Sequence, residues 1–239
     1  MANLSGQERA RYVQGMFERI APRYDLMNRL MTAGLDVRWR RELIRRAALP
    51  SGGRLLDLGA GTGDLAYEAG RQFPGEVIIA ADFTLEMMRI GKERSNPRSP
   101  ISSGRLSWCA ADALNLPFHE ANFDALVSGF LLRNLSDLPR ALEEQYRVLK
   151  PGGRWVALDT TQPPRNLFSP LIDFHLNRII PALGQVISGD REAYTYLPDT
   201  TRRFLEAERL AAQLVNTGFR QVGFRRLMWG IVAIHWGVR

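Results

Sequence analysis

One cysteine, Cys109, is all that 239 residues contain. That count excludes intramolecular disulfides, cysteine metal clusters and any mechanism that needs two thiols, and the residue's place in an apolar strand pattern suits packing. Lysine is almost as scarce, with Lys92 and Lys150 the only two, so the net charge of +7 rests on arginine. The histidines His119, His175 and His235 are scattered, and no set of His, Cys and carboxylate has metal-ligand spacing, so no metal is expected. No run approaches the roughly 18 apolar residues of a membrane-spanning helix, and the segment from Met1 to Arg11 lacks an apolar leader. With no repeat and no low-complexity tract either, the expectation is one cytoplasmic domain over residues 1–239, large enough for a sizeable core.

What is present is led by the run Leu55-Leu56-Asp57-Leu58-Gly59-Ala60-Gly61-Thr62-Gly63-Asp64, a buried strand followed by glycines at alternate positions and then a helical pattern. Such a turn lets a ligand approach main-chain N–H groups with no Cβ in the way. The spacing is GxGxG and not the GxGxxG of dinucleotide sites. A pyrophosphate favours a helix N-terminus, whereas S-adenosylmethionine (SAM) lacks phosphate and needs acids to hold its ribose hydroxyls and amino groups. Those acids stand at successive strand ends. Val77-Ile78-Ile79-Ala80-Ala81 ends in Asp82, near the spacing of about 20 residues expected for a ribose-binding carboxylate. Leu106 to Ala111 ends in Asp112-Ala113, where a carboxylate and an N–H suit adenine.

The periodicity predicts helices over about 6–20 and 36–48, then strand 54–58, helix 63–73, strand 76–82 and helix 84–94. A loop over 96–104 precedes strands 105–110 and 123–130, helix 137–149 and strand 154–160, the last entered through the breaker Lys150-Pro151-Gly152-Gly153. An irregular insertion over about 161–198 leads to helix 201–217 and to strands 219–227 and 230–236, too close in sequence to pair other than antiparallel. This is an α/β doubly wound sheet, whose ligands bind at the carboxyl ends of the strands. The segment 36–48 interleaves Arg38, Arg40, Arg41, Arg45 and Arg46 with Trp39, Leu43, Ile44 and Ala47 at helical spacing. Its basic face is either simply solvated or suited to anionic lipid headgroups.

Several segments carry a more specific likeness. Arg23-Tyr24-Asp25-Leu26-Met27-Asn28-Arg29-Leu30-Met31-Thr32-Ala33-Gly34, Phe130-Leu131-Leu132-Arg133-Asn134, Tyr146 to Gly153 and Gly230-Ile231-Val232-Ala233-Ile234-His235 resemble the ubiquinone/menaquinone-biosynthesis C-methyltransferases, UbiE/MenG. The resemblance runs from about Tyr12 to the C-terminus. It implies a class I SAM-dependent methyltransferase, Rossmann-like, with seven strands and an antiparallel last strand, a helical cap over about 1–50 and a substrate-side insertion. It implies methylation of a ring carbon of a prenylated quinol, demethylmenaquinol or a ubiquinone-pathway benzoquinol.

Carried over by position, SAM contacts fall on Thr62, Asp82, Asp112 and Ala113, within a cofactor set that also takes in Asp57, Gly59, Gly61, Gly63 and Gly129. Asp112 replaces the family's usual Asn, Gly129 replaces a small hydroxyl residue with Ser128 adjacent, and Asp159-Thr160-Thr161-Gln162-Pro163 departs from the usual segment after the fifth strand. Arg133 is either the electrostatic stabiliser of a quinol phenolate or a strand-end salt-bridge partner. His175 is either a substrate-side base or a packed helix residue. Tyr24 and Asn134 are the substrate-binding candidates, with the alternative that the Tyr24 segment only packs helices on the sheet. Such a substrate implies peripheral association with the inner face of an anionic membrane, and admits a homo-oligomer or a quinone-biosynthesis complex. Two other readings compete, a methyltransferase of RNA or another small molecule and a non-catalytic SAM-binding assembly protein. Nucleic acid is not the expected partner, because the chain shows neither an aromatic-rich single-strand platform nor the tetrapeptide typical of exocyclic-amine methylation.

Overall fold

Strand β1 (Arg54–Leu58) runs between two parallel neighbours, β2 (Val77–Asp82) and β4 (Phe123–Gly129), and is buried on both faces because helices pack on either side of the sheet. The strand period of two then divides its side chains. Leu55 enters one core and Leu56 and Leu58 the other. The computed structural model describes residues 6–94, 105–163 and 200–239, with residues 170, 174, 178 and 179 between the last two stretches. The expected loop over 96–104 and most of the insertion over 161–198 lie outside the described residues.

With β3 (Leu106–Ala110), β5 (Leu149–Thr160), β6 (Arg220–Leu227) and β7 (Val232–Val238), the sheet has seven strands in the order β3-β2-β1-β4-β5-β7-β6. β7 is antiparallel to both neighbours, since residues 228–231 are too few for a crossover. β5 starts at Leu149, five residues before the position expected from the Pro-Gly-Gly breaker. The N–H of Gly152 donates to the carbonyl of Arg239 at 2.9 Å, and the N–H of Arg239 to that of Gly153 at 3.0 Å, so the far end of the chain keeps this segment extended.

On one face of the sheet lie α3 (Asp36–Ala47) and α4 (Asp64–Gln72), with Trp39, Leu43 and Ile44 packed against Leu55, Val127 and Ile234. On the other lie α6 (Leu138–Val148) and α7 (Ala207–Thr217), with Leu142, Leu210 and Leu214 against Leu56, Leu126 and Trp155. The helix expected over 201–217 is broken, and residues 200–203 form a separate turn. The carbonyls of Phe204 and Leu205 accept from the side chains of Gln162 and Thr161, bonds to a distant strand end that a continuous helix would forgo. Helix α5 (Leu85–Glu93) follows β2. Cys109 is half-buried in β3, less enclosed than its strand pattern suggested.

Two further helices, α1 (Gly6–Ile20) and α2 (Tyr24–Met31), share a small core of Met16, Ile20 and Met27 apart from the sheet. Sequence periodicity gave no helix at α2, which is only eight residues long. Together they cover the carboxyl ends of the central strands, whereas α3, expected in the same cap, packs on the sheet face.

Candidate active site

β1 ends at Leu58, and the chain passes through Gly59, Gly61 and Gly63, all with positive φ, before α4 begins. At Gly63 (φ 86°) an added Cβ would sit 2.6 Å from the Trp108 ring, so both backbone and space demand glycine. Asp82 ties this turn to the end of β2. The N–H of Gly61 donates to its Oδ2 at 2.7 Å and the N–H of Thr84 to its Oδ1 at 2.7 Å. Burial raises the Asp82 pKa, and these backbone donors oppose the rise. Each oxygen keeps further acceptor capacity toward the space beside it.

That space is a cavity of about 290 Å³ at the switch point between β1 and β4. Its lining brings together Gly59, Gly61, Asp82, Asp112, Ala113 and Gly129 from the strand ends, Val13, Phe17 and Tyr24 from the cap, and Phe130, Leu131 and Asn134. Among the described lining residues are two carboxylates and no arginine or lysine. A phosphate-bearing ligand would be repelled here, whereas a sulfonium cation with a ribose diol meets acceptors and an open backbone turn. The site therefore fits SAM: Asp82 would take the ribose, and the exposed Asp112, whose Oδ1 accepts from the N–H of Leu114 at 2.9 Å, would stand with Ala113 toward adenine. Phe83, Met87, Phe130 and Leu131 also line it. Sequence reasoning passed over them, although Phe83 directly follows Asp82 and the pair Phe130-Leu131 opens the Leu-Arg-Asn element.

Three of the expected cofactor residues lie behind the wall rather than on it. Gly63 caps α4. Thr62, 2% exposed, donates its hydroxyl to Asp25 Oδ1 at 2.8 Å. Asp57 is fully buried, its two oxygens lack a well-formed hydrogen bond, and burial pushes its pKa up to about 8, aided by the negative charges of Asp82 and Asp64. A carboxyl whose folded pKa exceeds its unfolded value of about 4 is protonated in the native state while already ionised in the unfolded chain. Its effect on stability is unfavourable and grows as pH rises from about 4 to about 8. Asp57→Asn, neutral and of the same shape, should therefore gain stability over the parent with rising pH, levelling off near pH 8. Urea unfolding at pH 5, 6.5 and 8 checks this. A constant difference would mean that Asp57 is ionised in the native protein.

Arg133 is placed differently from the expectation of a substrate-facing cation. It is 5% exposed, does not line the cavity, and pairs through Nη1 with Asp159 Oδ1 at 2.6 Å, while its N–H donates to Asp159 Oδ2. Burial raises the pKa of the cavity residue Tyr24, opposed by its bond with Asn28 and by the charges of Arg133 and Arg40. Asn134 donates its side-chain N–H to the Phe130 carbonyl at 3.1 Å. His175 lies outside the described residues. His235 is buried in β7 with Nε2 3.0 Å from the Ala207 carbonyl, which keeps it in the fold rather than the site.

Arg40, expected on an exposed basic face, is buried and bridges Asp36 and Asp64. Trp39 and Leu43 beside it are spent on the sheet core, so the apolar side of α3 is closed to a bilayer. Arg94, at the end of α5, bonds Asp25 at 2.6 Å and Asp64 at 3.0 Å. The carboxylates Asp25, Asp36 and Asp64 and the arginines Arg40 and Arg94 thus join the cap to the glycine turn. No spacing rule announced the set, since Asp25 and Arg94 are 69 residues apart.

A doubly wound seven-stranded sheet whose penultimate edge position holds an antiparallel final strand, with an acidic glycine-turn cavity at its switch point, defines a class I SAM-dependent methyltransferase. A solved SAM-dependent methyltransferase from Aquifex aeolicus shares the fold, with a TM-score of 0.59 and 18% identity over 83% of this chain and 88% of that one. The profile described as the ubiE/COQ5 methyltransferase family matches residues 4–239. Similar curated proteins include the ubiquinone/menaquinone biosynthesis C-methyltransferase UbiE of Desulfotalea psychrophila, 43% identical over 95% of this chain and 90% of the relative. They also include the demethylmenaquinone methyltransferase of Thermus thermophilus, 42% identical over 94% of this chain and all of the relative. The chain belongs to the ubiE/COQ5 methyltransferase family.

Proposed function

We propose that this enzyme methylates a ring carbon of a prenylated quinol in quinone biosynthesis, with demethylmenaquinol as the substrate to test first. The observation that carries the reading is a single cavity whose described lining joins the carboxylates of Asp82 and Asp112 and the glycine turn to apolar and aromatic side chains from α1, α2 and the Phe130-Leu131 pair, with no arginine or lysine among them. Bound beside Asp82 and the glycine turn, SAM supplies an electrophilic methyl on sulfur and leaves as S-adenosylhomocysteine. Phe17, Phe130 and Leu131 exclude water around the quinol ring and hold the reacting carbon in line with that methyl. As the quinol hydroxyl gives its proton to bulk solvent, Tyr24, kept protonated by burial, donates its O–H to that oxygen and stabilises the phenolate. The phenolate's electron pair forms the carbon–methyl bond while the methyl–sulfur bond breaks, and loss of the ring proton to solvent then restores the aromatic quinol. Arg133, held by Asp159, adds positive potential behind Tyr24 and is a positioning residue. Asn134 accepts from the second quinol hydroxyl.

The substrate would be membrane-borne. No helix among the described residues is long and apolar enough to cross a bilayer, so the proposed association with the inner membrane face is peripheral. Purified protein incubated with SAM and chemically reduced demethylmenaquinone should yield a product one methylene heavier by mass spectrometry. Absence of that product while SAM binds would overturn the quinol reading, and methyl transfer to RNA instead would establish its competitor.

A further inference from the structure

On α3, Arg38, Arg41 and Arg45 follow one another at spacings of three and four and are exposed along a single helix face, opposite the buried Leu43, Ile44 and Ala47. They border a surface groove of about 430 Å³ whose other walls include Leu35, Glu42 and Arg225. Glu42 is the only carboxylate among its described lining residues. It is already engaged by Arg46 at 3.1 Å and by Arg225 at 3.0 Å, and none of the three α3 arginines pairs with a carboxylate among the described residues. The groove therefore carries uncompensated positive charge.

An apolar stripe of exposed leucines precedes it along the chain. Leu26 and Leu30, one turn apart on α2, are 53% and 42% exposed, and Leu35, 38% exposed, is itself a wall of the groove. The stripe and the groove are held in fixed relation. The N–H of Gly34 donates to the Arg29 carbonyl at 2.7 Å, that of Leu35 to Thr32 at 3.0 Å, and the fully buried Asp36 binds Arg40 and the Thr32 hydroxyl. On the same helix as Leu26 and Leu30, Tyr24 lines the cavity.

We infer that the outer face of α2 and the arginine groove of α3 form one docking surface for an anionic phospholipid bilayer. Leu26, Leu30 and Leu35 enter the acyl boundary, and Arg38, Arg41 and Arg45 bind lipid phosphates. Charge complementarity selects an anionic partner, and the exposed leucines, Leu35 on the groove wall and Leu26 and Leu30 on the helix before it, select a bilayer over a nucleic acid, whose surface has no apolar layer to receive them. The inference rests on the quinol reading for its purpose. Docking through α2 puts the membrane one helix away from the aromatic side chains of the cavity, so that a prenylated ring passes between them with little exposure to water.

Flotation of the full chain with vesicles tests it. The parent should bind phosphatidylcholine vesicles containing phosphatidylglycerol and not those of phosphatidylcholine alone. The combined variant Arg38→Gln, Arg41→Gln, Arg45→Gln should bind at least about tenfold more weakly at low salt. Leu26→Ser with Leu30→Ser should bind normally at low salt and detach at salt concentrations the parent withstands. Both variants should melt like the parent and methylate quinol dispersed in detergent at the parental rate. That last measurement separates the inferences, since failure of the parent in detergent overturns the quinol substrate and leaves the docking result standing. Parental flotation of the arginine variant overturns the surface. So does loss of RNA binding with vesicle binding intact, or a leucine variant that only converts a dimer to a monomer.

Discussion

Asp159→Ala lowers the unfolding free energy by about 3–5 kcal/mol, because it strands a buried guanidinium. The side chains of Arg133 and Asp159 are 4% and 2% exposed, and their contact of 2.6 Å is supported by a second bond from the Arg133 N–H and by a bond from the Thr160 N–H to the same carboxylate. With Asp159 gone, the buried Arg133 loses the carboxylate that balances its charge while it stays over the Phe130 ring, 5.3 Å from the centroid. Arg133→Ala strands the carboxylate instead and should be of similar size. The double variant should lose much less than the sum of the two, since both charges then leave together. Denaturant unfolding of the four proteins measures the coupling. A loss under about 1 kcal/mol for Asp159→Ala would mean that Arg133 is solvated and free to meet the substrate directly.

Asp82→Ala weakens SAM binding by about 2–4 kcal/mol, roughly thirtyfold to a thousandfold. Two contributions add. The carboxylate lines the cavity as the proposed acceptor for the ribose, and it also holds the N–H groups of Gly61 and Thr84 at 2.7 Å each, so its removal loosens the turn beside it. Asp82→Asn keeps an acceptor but loses the charge, and its amide N–H₂ faces backbone donors on at least one side, so it should fall between parent and alanine. Calorimetric titration with SAM on variants shown to be folded by their melting curves gives the result. Unchanged affinity for Asp82→Ala would move the ribose to another residue, with the exposed carboxylate of Asp112 the remaining acid on the cavity wall.

Local chemistry made much of this legible in advance. A glycine turn after an apolar strand, and an acid at the end of the next two strands, are signals that need no knowledge of the rest of the chain. The backbone itself supplies the need for positive φ, and strand ends of a parallel sheet converge on one edge. Most strands and helices fall within one or two residues of their expected bounds for the same reason, since periods of 2 and 3.6 are read within a few turns. The last strand's direction followed from the shortness of residues 228–231.

Partners across distance were not legible. The chain by itself determined that Arg133 and Arg40 are charged and that each sits near an apolar run. It left open whether each faces water, ligand or another charge. Tertiary structure decided that, by bringing Asp159 to Arg133 across 26 residues and Asp64 to Arg40 across 24. It also turned Thr62 and Asp57 away from the cavity they flank in sequence, and made a helix of α2, whose eight residues hold only Met27 and Asn28 buried. The physical reason is common to all of them. Periodicity records which face of an element is apolar, but the energy of a buried charge depends on the group that another segment sets beside it, and only the assembled sheet and cap specify that group.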